Sequence, residues 1–148
     1  MKILIVYDTK HGNTKKVAEL IGEGLESAEE NVITIENVKE IDLNKDMTYD
    51  LILIGSPNHV GSHTKNIKKF IKNLPDALLK GKSFAVFDTY MGKDFEKAVK
   101  KMEKKITELI PNLNKVSPGL SIKVGGMKGP IIDEDLPKCR EFGIKLAK

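Results

Sequence analysis

Three stretches of this chain are apolar without a break: ILIVY from Ile3 to Tyr7, LILIG from Leu51 to Gly55, and FAVF from Phe84 to Phe87. A strand with one face in water alternates polar and apolar residues. An unbroken apolar run means that both faces are covered, as in a parallel sheet sandwiched between helices. The strands predicted on this basis are Lys2–Asp8, Asn31–Glu36, Leu51–Ser56, Ser83–Asp88 and Leu120–Val124. Between and after them, helical periodicity marks Asn13–Ser27, Thr64–Asn73, Asp94–Leu109 and Asp133–Ala147. Five strands interleaved with helices predict an α/β fold, a doubly wound five-stranded parallel sheet. Val38–Thr48 is polar and aperiodic and reads as a loop. With 148 residues and no repeat or linker, the expectation is one domain over residues 1–148.

Composition removes several functional classes. With 40% hydrophobic and 31% charged residues the chain is not expected to be disordered. The five-residue apolar run after Met1-Lys2 is too short for a signal peptide, and nothing approaches the ~20 apolar residues of a membrane span. The single cysteine, Cys139, excludes an internal disulfide and a cysteine zinc site. Its helical spacing with Leu136, Gly143 and Leu146 assigns it to core packing. A cytoplasmic location is expected. The net charge of +4 concentrates in KAVKKMEKKITEL, residues Lys97 to Leu109. There Ala98, Val99, Met102, Ile106 and Leu109 recur at helical spacing opposite the lysines, as in a solvated amphipathic helix. No aromatic residues interleave as stacking platforms, so nucleic-acid binding is not expected.

In doubly wound sheets, ligands bind beyond the carboxyl ends of the strands, where the strand order reverses. The loops to read are therefore Thr9–Thr14, Ser56–His63 and Asp88–Lys93. Those at the opposite end, KEIDLNKDMTY and PDALLKGK, are charged and carry no comparable cluster. Thr9–Thr14 opens a helix, where orphan N–H groups and the helix dipole favour an anion. Gly12 lets the backbone approach a ligand, and Thr9, Asn13 and Thr14 add donors. A capping role for Asn13 or Thr14 alone would leave Thr9 and Gly12 unexplained, so phosphate binding is the favoured reading. A Walker loop is absent, the third strand ends Gly55-Ser56-Pro57 rather than in a receiver aspartate, and no cysteine lies in the first loop. Nucleotide hydrolase, receiver and low-molecular-weight phosphatase chemistry are thereby set aside.

TKHGNT, following a hydrophobic first strand, resembles the flavodoxin phosphate loop, Thr/Ser-x-Thr/Ser-Gly-x-Thr, with His11 in place of the usual hydroxyl. The resemblance covers nearly the whole chain in its short form. It implies the flavodoxin-like strand order 2-1-3-4-5 and the cofactor FMN. The phosphate would then lie at Thr9, Lys10, His11, Gly12, Asn13 and Thr14. GSPNHVGSHTKNIKKFI is similar to the second flavin loop, which implies contacts from Ser56, Pro57, Asn58, His59, Val60 and Gly61. A carbonyl among Asn58–Gly61 would accept a hydrogen bond from flavin N5 on reduction, and His59 or Val60 would cover one ring face. FDTYMGKDFEKA resembles the third loop and implies Asp88, Thr89, Tyr90 and Gly92. Tyr90 would cover the other face, and Asp88 either meets the ribityl chain or ends its strand. The tryptophan usual beside the flavin is missing, which leaves Met91 or His59 as a second cover.

The resemblance implies a low-potential carrier passing single electrons between redox proteins, with no catalytic side chain of its own. The alternative is an FMN-dependent NAD(P)H or quinone reductase on the same fold; a flavin-free or flavin-sensing interaction module is a third class. No metal is expected, because His11, His59 and His63 lack the spacing of a known metal motif. The second and third loops hold two acids, Asp88 and Asp94, against Lys93, whereas family members surround the flavin with acids. Each carboxylate fewer at ~8 Å and an effective dielectric of ~20–80 is worth roughly 0.5–2 kcal/mol. That is roughly 20–90 mV, so the low-potential couple should be less negative than in acidic relatives. A sequence pI near 9 further implies partners with acidic docking surfaces; no nucleic acid or membrane partner is expected.

Overall fold

The computed structural model describes residues 1–44, 48–74 and 82–148. Among them the strands are β1 (Lys2–Tyr7), β2 (Val32–Asn37), β3 (Leu51–Pro57), β4 (Ser83–Tyr90), β5 (Asn114–Lys115) and β6 (Leu120–Lys123). The helices are α1 (Asn13–Leu25), α2 (Lys65–Lys72), α3 (Lys97–Leu109) and α4 (Leu136–Leu146), the last preceded by a 3-10 turn at Asp133–Asp135. All sheet pairings are parallel, in the order β2-β1-β3-β4 with β5 and β6 both on the far side of β4. β5 pairs with Ser83–Phe84 and β6 with Phe87–Tyr90, so the fifth position of the expected order is filled by two segments. β5 has two exposed residues and no apolar run, which is why the pattern predicts only five strands.

The unbroken strands are covered on both faces, as their composition requires. Ile3, Ile5 and Tyr7 of β1 pack under α1 and α4, while Leu4 and Val6 meet α2 and α3 through Ile67, Phe70 and Met102. Burying a side chain of this kind contributes roughly 1.5–3 kcal/mol. α1 and α4 approach so closely that a Cβ on Gly24 would lie 2.1 Å from Arg140 O, and one on Gly143 2.1 Å from Ile21 O. Cys139 is fully buried in this layer, and burial pushes its thiol up to about 12, as a packing role requires.

Helix bounds differ from the pattern for local reasons. Thr64 caps α2 by accepting the Ile67 N–H at 3.3 Å, so the helix proper starts at Lys65. α3 starts at Lys97, because Asp94–Glu96 form a turn that leaves Glu96 at φ 61°. Leu109, expected on the buried stripe of α3, is 41% exposed, and Ile110 is buried instead. In the loop after β2, Val38, Ile41 and Leu43 pack on the α2–α3 core. KEIDLNKDMTY lies partly, and PDALLKGK mostly, outside the described residues. No helix among the described residues is long and apolar enough to cross a membrane.

Candidate functional site

The ends of β1, β3 and β4 open onto a cavity of about 350 Å³. Eleven of the residues expected there line it: Thr9, Lys10, His11, Asn13 and Thr14 from the first loop, Pro57, Asn58, His59 and Val60 from the second, and Thr89 and Tyr90 from the third. Met91, Asp94 and Thr64 complete those walls. The loop after β6 supplies Val124 and Met127, which the reading of three loops leaves out.

At the α1 end, Gly12 sits at φ 92° and is the N-cap, with no side chain capping the helix. Neither Asn13 nor Thr14 acts as a cap. The first backbone bond is Lys16 N–H to Gly12 O at 3.0 Å, so the N–H groups of Asn13, Thr14 and Lys15 have no helical acceptor. Thr9 Oγ1 accepts the Gly12 N–H at 2.9 Å and holds the loop curled, with its own proton free to donate. Thr14 Oγ1 lies 2.9 Å from Thr89 Oγ1, tying the start of α1 to the end of β4. Three orphan donors, two hydroxyls and the positive end of a helix form a donor set suited to a dianionic phosphate. A Cβ on Gly129, in the loop after β6, would come within 2.4 Å of Asn13 Oδ1, so that loop closes directly on the first.

Asp8, beside the cavity rather than in its lining, ties the first loop to the start of α2. It is 5% exposed and accepts bonds from Thr9 N–H at 3.0 Å, Thr64 Oγ1 at 2.7 Å and Asn66 Nδ2 at 3.3 Å. Ser56 is fully buried and outside the cavity lining; its Oγ accepts the Thr64 N–H at 3.0 Å and so sets the second loop from below. Two reciprocal backbone bonds between His59 and Ser62 close a tight turn with Val60 at φ 53° and Gly61 at φ 70°. A positive φ is unfavourable for a β-branched residue. Here it leaves the Val60 side chain 92% exposed at the cavity mouth. Gly61 makes this turn without lining the cavity, and Gly92, at φ 60°, likewise shapes its loop from outside.

Asp88 neither lines the cavity nor ends its strand, since β4 continues to Tyr90. It is fully buried beneath the site, where Ser121 Oγ donates to it at 2.5 Å and Val99 N–H at 3.0 Å. Burial pushes its carboxyl up to about 6, against those hydrogen bonds, which favour the charged form. Unfolded, the same carboxyl loses its proton near 3.8. The folded state therefore holds the extra proton between these values, and stability falls as pH rises through that window. The full separation is worth about 3 kcal/mol. The stability advantage of the native chain over Asp88→Asn, from urea unfolding, should shrink by about that amount between about pH 4 and about pH 7. A constant difference would show that Asp88 is ionised throughout.

Tyr90 meets Phe95 edge-on, with ring centroids 5.4 Å apart at 66°, which fixes the tyrosine at the cavity wall. Asp94 is paired with Lys97 at 3.1 Å. His11 and His59 line the cavity but His63 does not. It is half-buried, and burial followed by Lys68, Lys101 and Lys105 pushes its pKa down. Among the described residues no group of three or more His, Cys, Asp or Glu is arranged to hold a metal.

The flavodoxin domain model matches residues 4–120. A flavodoxin from Aquifex aeolicus is 36% identical over 73 residues, 49% of this chain and 40% of the relative. One from Clostridium saccharobutylicum is 32% identical over 89 residues, 60% of this chain and 56% of the relative. These matches therefore span about half the length of the curated relatives. Among solved structures, a flavodoxin from the domain Archaea superposes with a TM-score of 0.83 at 29% identity, covering 99% of this chain and 96% of the other. With the family model matched over most of its length and the expected strand order in place, the chain belongs to the flavodoxin family.

Proposed function

We propose that the protein is a cytoplasmic FMN-binding electron carrier that passes single electrons between redox proteins. The uncapped N-terminus of α1 carries this reading, because its orphan donors face a cavity walled by Tyr90 and Val60. FMN supplies the redox chemistry when bound. The residues that would hold it are those of the first loop for the phosphate, with Asn58–Gly61 and Thr89–Tyr90 about the ring. Tyr90, backed by Phe95, offers a flat apolar wall; Val60 and Met91 offer a second. Asn58 holds the two loops in register, donating to Thr89 O from its side chain at 3.1 Å and accepting from Ala98 N–H at 3.2 Å. No side chain is required to move a proton.

The negative charge near the ring is muted, since Asp94 is paired with Lys97. An anaerobic reductive titration of the FMN-loaded protein, followed by visible absorbance with potentiometry, tests the reading. Two separate one-electron steps are expected, the second roughly 20–90 mV less negative than in acidic relatives for each carboxylate absent. A single two-electron step with rapid NAD(P)H oxidation would overturn the carrier and favour the reductase.

A further inference from the structure

Beside the cofactor cavity lies a second, broader hollow of about 500 Å³. The two share Thr9, Lys10, Pro57, His59 and Thr64, so they form adjoining parts of one surface. Three lysines from three different elements reach the second hollow: Lys10 after β1, Lys39 after β2 and Lys65 at the start of α2. All three are exposed, and none is in an ion pair among the described residues. The carboxylate on its floor, Asp8, is occupied by Thr9, Thr64 and Asn66 rather than by any lysine. The hollow also opens onto the basic side of the molecule. α2 carries four lysines and no acid, and α3 five lysines and two glutamates. Across the cofactor cavity, Val60 and Met127 are 92% and 70% exposed. An apolar mouth flanked by unpaired cations has the layout of a transient interface, in which charge steers the encounter and a small apolar contact seats it.

We propose that this lysine-lined hollow docks an acidic electron-transfer protein, whose carboxylates meet Lys10, Lys39 and Lys65 and hold its redox centre over the neighbouring cavity. The proposal rests on the carrier reading. One electron leaves this protein, oxidised by one, and enters the oxidised centre of the partner, reduced by one; no atom is transferred.

The test uses the FMN-loaded protein, reduced beforehand and mixed in a stopped-flow with one of two oxidised probes. These are rubredoxin, a small acidic iron protein, and cytochrome c, a basic haem protein. The rubredoxin rate should fall at least about tenfold between about 20 and about 500 mM salt. At low salt, Lys39→Glu with Lys65→Glu should slow rubredoxin by about tenfold and leave cytochrome c equal or faster. The same charge change at Lys145 and Lys148 on the opposite helical layer should alter the rubredoxin rate by less than about twofold. Equal rubredoxin rates for native and Lys39/Lys65 variants would overturn the docking site while leaving the carrier intact. If that variant instead raises KM for NADPH at an unchanged rubredoxin rate, the hollow is a dinucleotide site and the proposal fails. Reduction of neither probe would remove the carrier reading, and the docking site with it.

Discussion

Replacing Thr9 and Thr14 together by alanine is expected to weaken FMN binding roughly 10²–10⁴-fold, while riboflavin binding changes less than about tenfold. Each hydroxyl that donates to a phosphate makes a charge-assisted bond worth roughly 1.5–3 kcal/mol, so losing two costs about 3–6 kcal/mol. The lower end is the safer expectation, because the two threonines flank one loop and their effects need not add. Thr14→Ala also leaves the buried Thr89 hydroxyl without its 2.9 Å partner. That cost falls equally on both ligands, and the riboflavin comparison removes it. Fluorescence titrations with the two flavins measure the difference. Equal losses would mean that these hydroxyls only shape the loop, as the Thr9 bond to Gly12 N–H already does in part.

Gly143→Ala is expected to destabilise the fold by about 3 kcal/mol or more, although alanine is the better helix former by about 1 kcal/mol. The added methyl would lie 2.1 Å from Ile21 O and 2.9 Å from Gly24 Cα and Leu25 N. All three are backbone atoms, so no rotamer change relieves the contact, and α1 and α4 must move apart. Doing so unpacks Ile21, Cys139 and Phe142 along the same face. Gly22→Ala is the matched control. Its methyl would meet the flexible tip of Ile35 at 2.9 Å, so its effect should stay within about 1 kcal/mol. Urea midpoints at constant slope give both values. A Gly143→Ala chain as stable as the native one would show that the two helices have slack at this crossing.

Much of this architecture was legible because both of its signals are local. Unbroken apolar runs mark doubly covered strands, and a polar loop with glycine and hydroxyls at a helix start marks an anion cradle. What escaped depends on contacts between distant segments. Asp8 reads as the end of a strand, and only the fold brings Thr64 and Asn66 onto its carboxylate. Asp88 reads as a loop acid, yet pairing with β6 encloses it beside Ser121. Val124 and Met127 belong to the loop after the last strand, which the rule of the strand-order reversal does not single out. The glycines of GGMKGP were a signal available in the sequence for that fourth wall.

The divided edge of the sheet has a bearing on how the protein behaves when crowded. Strands as apolar as β1 and β3 are dangerous if one lies at an open edge, because unpaired N–H and C=O groups offer a template for another chain. Here the segments outside β4 have two and four residues and are separated by Val116–Gly119, with Pro118 between them. Lys115 and Lys123 add exposed charge to each piece. On that side no long ribbon is available for another molecule to extend. The most aggregation-prone strands of the chain stay in the interior of a sheet whose β5–β6 margin resists growth into fibrils.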